Sequence, residues 1–280
     1  LFSCNREVAG KAIGDCLDDL AVLHRTVNRF DPESELSALN RSAGDAPFAC
    51  SELLWDILGA AREAHRSTEG VFDITVGPLM QLWGLHRKRD TLPTTAEIEA
   101  ALQQVGLQRV RFDDRDRTVR FMVPGMGLDL GGIAKGYALD RVSGILAKHG
   151  IERALVDLGG NIGCTHVAPP GRDTFVIGVR NPFDTQAMLG RMAIAGRAVA
   201  TSGNYERRIV IQGQTVGHIV DPRTGRPVSA LAGVTAVARR GGDSDVFSTA
   251  VYVAGEALAR RLSEDCPGTG FVLVSGTAAD

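Results

Sequence analysis

Three stretches of this chain hold the residue types that proton and phosphate chemistry requires. His218–Gly225 reads HIVDPRTG, an imidazole three residues before a carboxylate, with Pro222 and Gly225 bending the chain. Histidine moves a proton most readily near neutral pH, so His218 suits general-base work. Taken alone, the pair reads either as a catalytic site or as a hydrogen-bonded corner, and Asp221 would orient either His218 or its own turn. Asp243–Ala250, DSDVFSTA, spaces Asp245 and Thr249 four apart. On a helix both oxygens would share a face, and a carboxylate with a hydroxyl makes a hard-oxygen pair suited to Mg²⁺. The alternative is capping by Asp243 or Ser244 over a buried Thr249. Asp129–Asp140, DLGGIAKGYALD, runs from a carboxylate through paired glycines to Lys135. Helix-start amides beside a lysine would cradle a phosphate, or the glycines make a turn and nothing more.

Smaller constellations accompany these. Asp157–Asn161 (DLGGN) carries a strand into paired glycines, with Asn161 ready to hydrogen-bond a ligand, or simply turns between strands. Ala200–Arg207 (ATSGNYER) sets Thr201, Ser202 and Gly203 at a strand-to-turn transition. Gly70–Gly84 (GVFDITVGPLMQLWG) embeds Asp73 beside Phe72 in apolar sequence, as a turn cap or a ligand contact, and Ser34–Asn40 (SELSALN) is rich in small polar side chains. The chain contains neither GxxxxGK[ST] nor GxGxxG, and neither GxSxG nor HExxH, so P-loop, dinucleotide-fingerprint, serine-hydrolase and zincin readings have no signature here.

The elements that must hold these groups can be read from periodicity. Val8–Val27 has apolar residues at helical spacing and predicts one buried helical face. Ser51 caps a helix through about Ser67, and Thr94 with Glu97 forms a capping-box pattern ending by Gly106. Arg109–Phe112 and Thr118–Val123 alternate as strands about a DDRD turn. Lys135–His149 is a helix stopped by Gly150, and Val246–Leu262 is another. Ala154–Leu158, Phe175–Val179, Met192–Ala195, Arg208–Gln212, Val234–Ala238 and Phe271–Val274 are short strands, the fourth leading out of the sheet toward His218. Strands crowd the second half with helices on both sides. The fold class is therefore α+β rather than alternating.

Composition bounds the function. In 280 residues the chain can bury a substantial core. A formal net charge of -2 with interspersed signs offers no field for nucleic acid, so a phosphate-bearing ligand must be held by local groups. Five scattered cysteines without a CxxC pair argue against a disulfide framework and a thiolate metal site. No apolar run is long enough to span a bilayer. LFSC at residues 1–4 reads as the end of a lipoprotein signal with Cys4 lipidated, or as the tail of a clipped strand.

Together, FDPESELSALN, GVFDITVGPLMQLWG, DLGGIAKGYALD, ALVDLGGNIG, ATSGNYER, HIVDPRTGRPV and DSDVFSTAVYVAG resemble the ApbE family of FAD:protein FMN transferases, in the family's order from about residue 30 to 255. The resemblance implies one ApbE-like domain across 1–280, with a mixed or antiparallel sheet flanked by helices. It implies FAD as substrate, Mg²⁺ as cofactor, and an acceptor flavoprotein whose Thr or Ser hydroxyl receives FMN while AMP leaves. By position, Asp245, Thr249 and the Gly132 carbonyl would hold Mg²⁺. Phe30, Val71, Phe72, Asp73, Asp129 and Lys135 would contact FAD, and His218 would be the base. The alternatives are an FAD pyrophosphatase releasing FMN and AMP, and a non-catalytic FAD-binding protein. Relatives suggest a periplasmic or inner-membrane-associated location, with membrane contact only through a lipid anchor or a membrane-bound acceptor, although no signal peptide is visible. The family's first strand, carrying Met-Gly-Thr, would precede the first residue here, and Asn204 replaces a frequent aspartate.

Overall fold

Side-chain caps set the helix starts that the spacing predicts. In a computed structural model describing residues 5–86, 88–184, 186–203 and 208–276, Ser51 Oγ accepts from Leu54 N at the head of helix Glu52–Ser67. Thr94 and Glu97 close a reciprocal capping box on helix Thr95–Leu102. Ser34 caps Glu35–Ser42 in the same way, turning SELSALN into a helix rather than a turn. Each cap satisfies backbone donors that a helix start leaves open. Cys4 and Asn204 lie outside the described residues.

Contacts divide the chain into two compact units, residues 1–22, 133–203 and 230–280 forming the first and 23–132 with 204–229 the second. The first is built on a five-stranded sheet in the order Gly270–Ser275, Leu231–Ala238, Ala198–Gly203, Asn161–Cys164, Leu155–Leu158. Every neighbour in it is antiparallel. Helix Gly241–Ala254 packs on its central strands and on helix Ala134–Lys148. The two helices meet through glycines: a Cβ at Gly136 would lie 2.2 Å from Gly241 O. Phe175–Arg180 and Met188–Ile194 form a separate antiparallel ribbon. A second apolar cluster joins Ala12 and Cys16 of the first helix to Val142, Leu146 and Ile151.

The second unit holds a three-stranded antiparallel sheet, Phe48–Ala49, Thr118–Phe121 and Val110–Asp113. Its core gathers Leu79, Trp83, Ile98 and Val105 with Ile211 and Val216. The last two come from the hairpin Arg208–Ile211/Gln214–Gly217. The observed class is the expected α+β, antiparallel sheets with helices.

Three local expectations are corrected. The first helix spans Arg6–Val27, but Val8, Ile13 and Leu17 are exposed at 38%, 47% and 61%, so only part of its apolar periodicity is buried. Val246–Leu262 is not one helix: Gly255, at φ 78°, separates Gly241–Ala254 from Glu256–Asp265, a backbone turn that glycine adopts at little cost. Arg208–Ile211 does not leave a sheet toward His218. It pairs with Gln214–Gly217, and His218 follows that second strand.

Candidate functional site

In the first unit the candidate groups gather around Asp245. Helix Gly241–Ala254 begins without a side-chain cap of its own, so neither Asp243 nor Ser244 plays that part. Instead Asp140, from the other helix, accepts from Gly241 N at 2.6 Å and Gly242 N at 2.9 Å. Asp245 returns the arrangement, its Oδ2 accepting from Gly136 N at 2.9 Å near the head of Ala134–Lys148. Two helices thus cap each other through carboxylates, each placing negative charge at a positive helix end. The glycine contact permits it, because a side chain at 136 would push the helices apart.

This corrects the phosphate-cradle reading in one respect. An amide at the start of helix Ala134–Lys148 is given to Asp245, and what remains exposed is the Lys135 side chain. Asp245 is 5% exposed, and its pKa is raised. Burial is the dominant cause, and the Asn161 amide, the Lys135 charge and helix-start N–H groups offset only part of it. Thr249 is half-buried, not buried as simple packing would require, and its hydroxyl donates to Asp245 O at 3.2 Å. Ser202 Oγ lies 3.2 Å from Thr249 Oγ1 and 2.9 Å from Ser248 Oγ. The turn between Leu155–Leu158 and Asn161–Cys164 is made by Gly159 and Gly160, at φ 64° and 90°. It delivers Asn161, 1% exposed, whose amide lies near enough to Asp245 to favour the charged form although its Nδ2 meets no partner at hydrogen-bond geometry among the described residues.

These groups fit a hard divalent cation. A buried, under-neutralised carboxylate, an adjacent hydroxyl and an orphaned amide are costly without a ligand. Among the described residues no three His, Cys, Asp or Glu side chains cluster as a metal site. A cation here would therefore complete its shell with oxygens from elsewhere, as Mg²⁺ commonly does.

In the second unit Asp129 is the counterpart. His86 Nε2 lies 2.8 Å from its Oδ2 and Arg29 NH1 3.3 Å away, while Gly131 N donates to Oδ1 at 2.7 Å. Burial opposes its charge, but the His86 hydrogen bond and Arg29 outweigh it, so its pKa is lowered. Phe30, 63% exposed, meets the His86 ring edge-on at 5.7 Å. Gly132, half-buried, ends the same segment three residues on. Val71, Phe72 and Asp73 are buried. Asp73 acts as a turn cap: Oδ1 accepts from Thr75 N and Thr75 Oγ1 at 2.7 and 2.6 Å, and Oδ2 from Leu107 N at 3.1 Å.

The HIVDPRTG turn is anchored at its far end. Trp83 Nε1 donates to Gly225 O at 2.7 Å, and Gly225, at φ 68°, faces Ile98 and Leu79, with no room for a side chain. Asp221 is buried and spent on its own turn, accepting from Arg223 N at 2.8 Å and from the Arg223 guanidinium at 2.9 Å. That settles the open question about Asp221 in favour of the turn. His218 is half-buried.

The sequence reading passed over Asp140, His86 and Arg29. Only Asp140 left a signal, as the carboxylate closing DLGGIAKGYALD.

Known proteins place this architecture. The sequence profile of the ApbE family matches residues 4–273. An FAD:protein FMN transferase of Klebsiella pneumoniae (strain 342) is 36% identical over 229 residues, 81% of this chain and 70% of that protein. One from Salmonella typhimurium is 32% identical over 242 residues, 84% of this chain and 69% of that protein. The crystal structure of the ApbE protein from Thermotoga maritima aligns with TM-score 0.86 at 32% identity, over 95% of this chain and 86% of that one. The flavin transferase ApbE from Vibrio cholerae aligns with TM-score 0.80 at 27% identity, over 99% and 87%.

Proposed function

The chain belongs to the ApbE family, and from that premise we propose that it is an FAD:protein FMN transferase, moving FMN from FAD to a Thr or Ser hydroxyl of an acceptor protein and releasing AMP. The observation that carries the chemistry is the buried Asp245, whose charge the protein leaves under-compensated beside the Thr249 hydroxyl. We take residues 1–280 as one flavin transferase domain, since the family profile runs through both units.

Asp245 and Thr249 would hold Mg²⁺, and Gly132 keeps the carbonyl-ligand role that the resemblance gives it. When bound, the cation supplies charge that offsets the pyrophosphate oxygens and the leaving AMP. The protein's own groups do the rest. Asn161 gives Asp245 a polar neighbour that favours the ionised form. Lys135 adds an exposed positive charge one residue from the Gly136 amide. Asp129, ionised by His86 and Arg29, offers a fixed acceptor to FAD, and Phe30 an exposed aromatic face. Val71, Phe72 and Asp73 stay in the FAD-contacting set, with Asp73 fixing the backbone of their loop. His218 takes the proton of the acceptor hydroxyl, a step worth roughly 10²- to 10⁴-fold.

The test is incubation with FAD, Mg²⁺ and a threonine-bearing acceptor, following bound flavin and AMP together. Free FMN and AMP without bound flavin would instead identify a pyrophosphatase. FAD binding with no AMP release would identify a carrier. A His218→Ala variant is expected to lose roughly 10²-fold or more in transfer at neutral pH, and parental activity would remove His218 from the base role.

A further inference from the structure

A recess lies within the first unit, lined by residues other than those assigned to FAD or Mg²⁺. A cleft of about 540 Å³ opens beside helix Ala134–Lys148 and the strands Leu155–Leu158 and Asn161–Cys164. That size falls in the range of small-molecule sites, roughly 300–1,000 Å³. Its walls are apolar where Leu139, Ile151 and Val156 contribute, and cationic where Arg197 and Arg239 do, with His166 beside them.

The two arginines are the anomaly. Both guanidinium groups flank Gly268: Arg197 NH2 and Arg239 Nε lie 2.9 and 3.7 Å from the point where a Cβ would stand. Like charges held this close repel. Among the described residues neither has a carboxylate partner, although the neighbouring Arg240 reaches Asp140 at 4.0 Å. Arg197 makes one long bond to Gly196 O, at 3.5 Å. The acids at the cleft do not relieve the pair. Asp140 is committed to the Gly241 and Gly242 amides, and Glu152 is exposed without a paired cation. His166 adds a third donor, its exposed ring lying over Gly196, where a Cβ would sit 2.2 Å from Cε1.

We propose that this cleft binds a phosphomonoester carried on an apolar, ring-sized body. Two guanidinium forks match the charge and oxygens of a phosphate dianion better than a single carboxylate does. The Leu139, Ile151 and Val156 wall supplies the surface for the body. The reading stands on the cleft alone and is independent of the transferase assignment.

The test is calorimetric titration of the full chain with phenyl phosphate, alongside inorganic phosphate, benzoate and AMP. Phenyl phosphate is expected to bind, with inorganic phosphate and benzoate each about tenfold weaker or more. Arg197→Gln and Arg239→Gln should each weaken phenyl phosphate about tenfold, with thermal melting unchanged. AMP binding that both substitutions weaken would place nucleotides among the ligands; AMP binding that neither affects would assign that nucleotide to another site. Saturation transfer from protein methyl groups to the phenyl ring reads the apolar wall on the unaltered chain. No binding at about 10 mM, no transfer to the ring, or affinity unchanged in both variants would each overturn the site. Benzoate binding as tightly as phenyl phosphate would overturn the dianion, and inorganic phosphate doing so the apolar body.

Discussion

Asp129, with its side chain 12% exposed, and Asp245, buried, are both carboxylates at the head of glycine-rich turns or helices, yet their pKa values move in opposite directions. Asp129 has His86 and Arg29 against it and Gly131 N on its other oxygen, enough to outweigh burial. Asp245 has mostly dipoles, helix-start amides and the Asn161 amide, together with the Lys135 charge, and burial wins. The second unit sets the Arg29 guanidinium and the His86 ring against its carboxylate. The first leaves one whose charge its surroundings offset only in part. One carboxylate is held by partners from its own unit, the other is where the proposed Mg²⁺ would sit.

The largest expected effect tests that contrast directly. Asp245→Ala should cost flavin transfer roughly a thousandfold, about 4 kcal/mol of barrier, and flatten its Mg²⁺ dependence. A Mg²⁺ titration that matches the parent would remove Asp245 from the ligands. Next is Asp129→Asn, which strands Arg29 and His86 and should cost roughly 3 kcal/mol of stability in urea denaturation at neutral pH. The sign with pH follows from the lowered pKa. Stability from Asp129 is present above its ordinary value of 3.8 and lost as pH falls through the folded value. The gap between parent and variant should therefore narrow in acid, and a gap constant with pH would show that charge is not its source.

A smaller effect separates the two centres by ligand. Mg²⁺ at about a hundredfold its Kd should stabilise the parent by ~2.7 kcal/mol. The melting shift should persist in Asp129→Asn and vanish in Asp245→Asn; equal shifts in both would dissolve the distinction. Smallest is Gly136→Ala, whose Cβ would sit 2.2 Å from Gly241 O. Overpacking there should cost ~1–3 kcal/mol and disturb the mutual caps, lowering Mg²⁺ affinity. Unchanged melting and affinity would mean that the helices part without consequence.

Much of the architecture was legible because it is local. Ser51, Thr94 and Glu97 announce helix starts through their own side chains, and the alternation on either side of DDRD announces a hairpin. Asp245 and Thr249 were readable as neighbours because helical spacing sets them one turn apart, where the Thr249 hydroxyl donates to the Asp245 backbone carbonyl. Other features were hidden for a physical reason. The exposed apolar residues of the first helix follow the same periodicity as buried ones, and periodicity does not say whether a partner covers them. Asp73 looked like a ligand contact or a cap, and only Leu107 N, 34 residues away, shows the extent of its capping.

By itself the sequence determined the class of the fold, the family, and which side chains could do chemistry, since these depend on residue type and short spacing. Tertiary structure decided what state those groups are in. Asp140 and Asp245 exchange helix ends across about a hundred residues, Asp129 gathers Arg29 from a hundred residues away, and Asp221 turns to Arg223 within its own turn. Charge state follows from burial and from partners, and long-range partners are set by packing rather than by spacing.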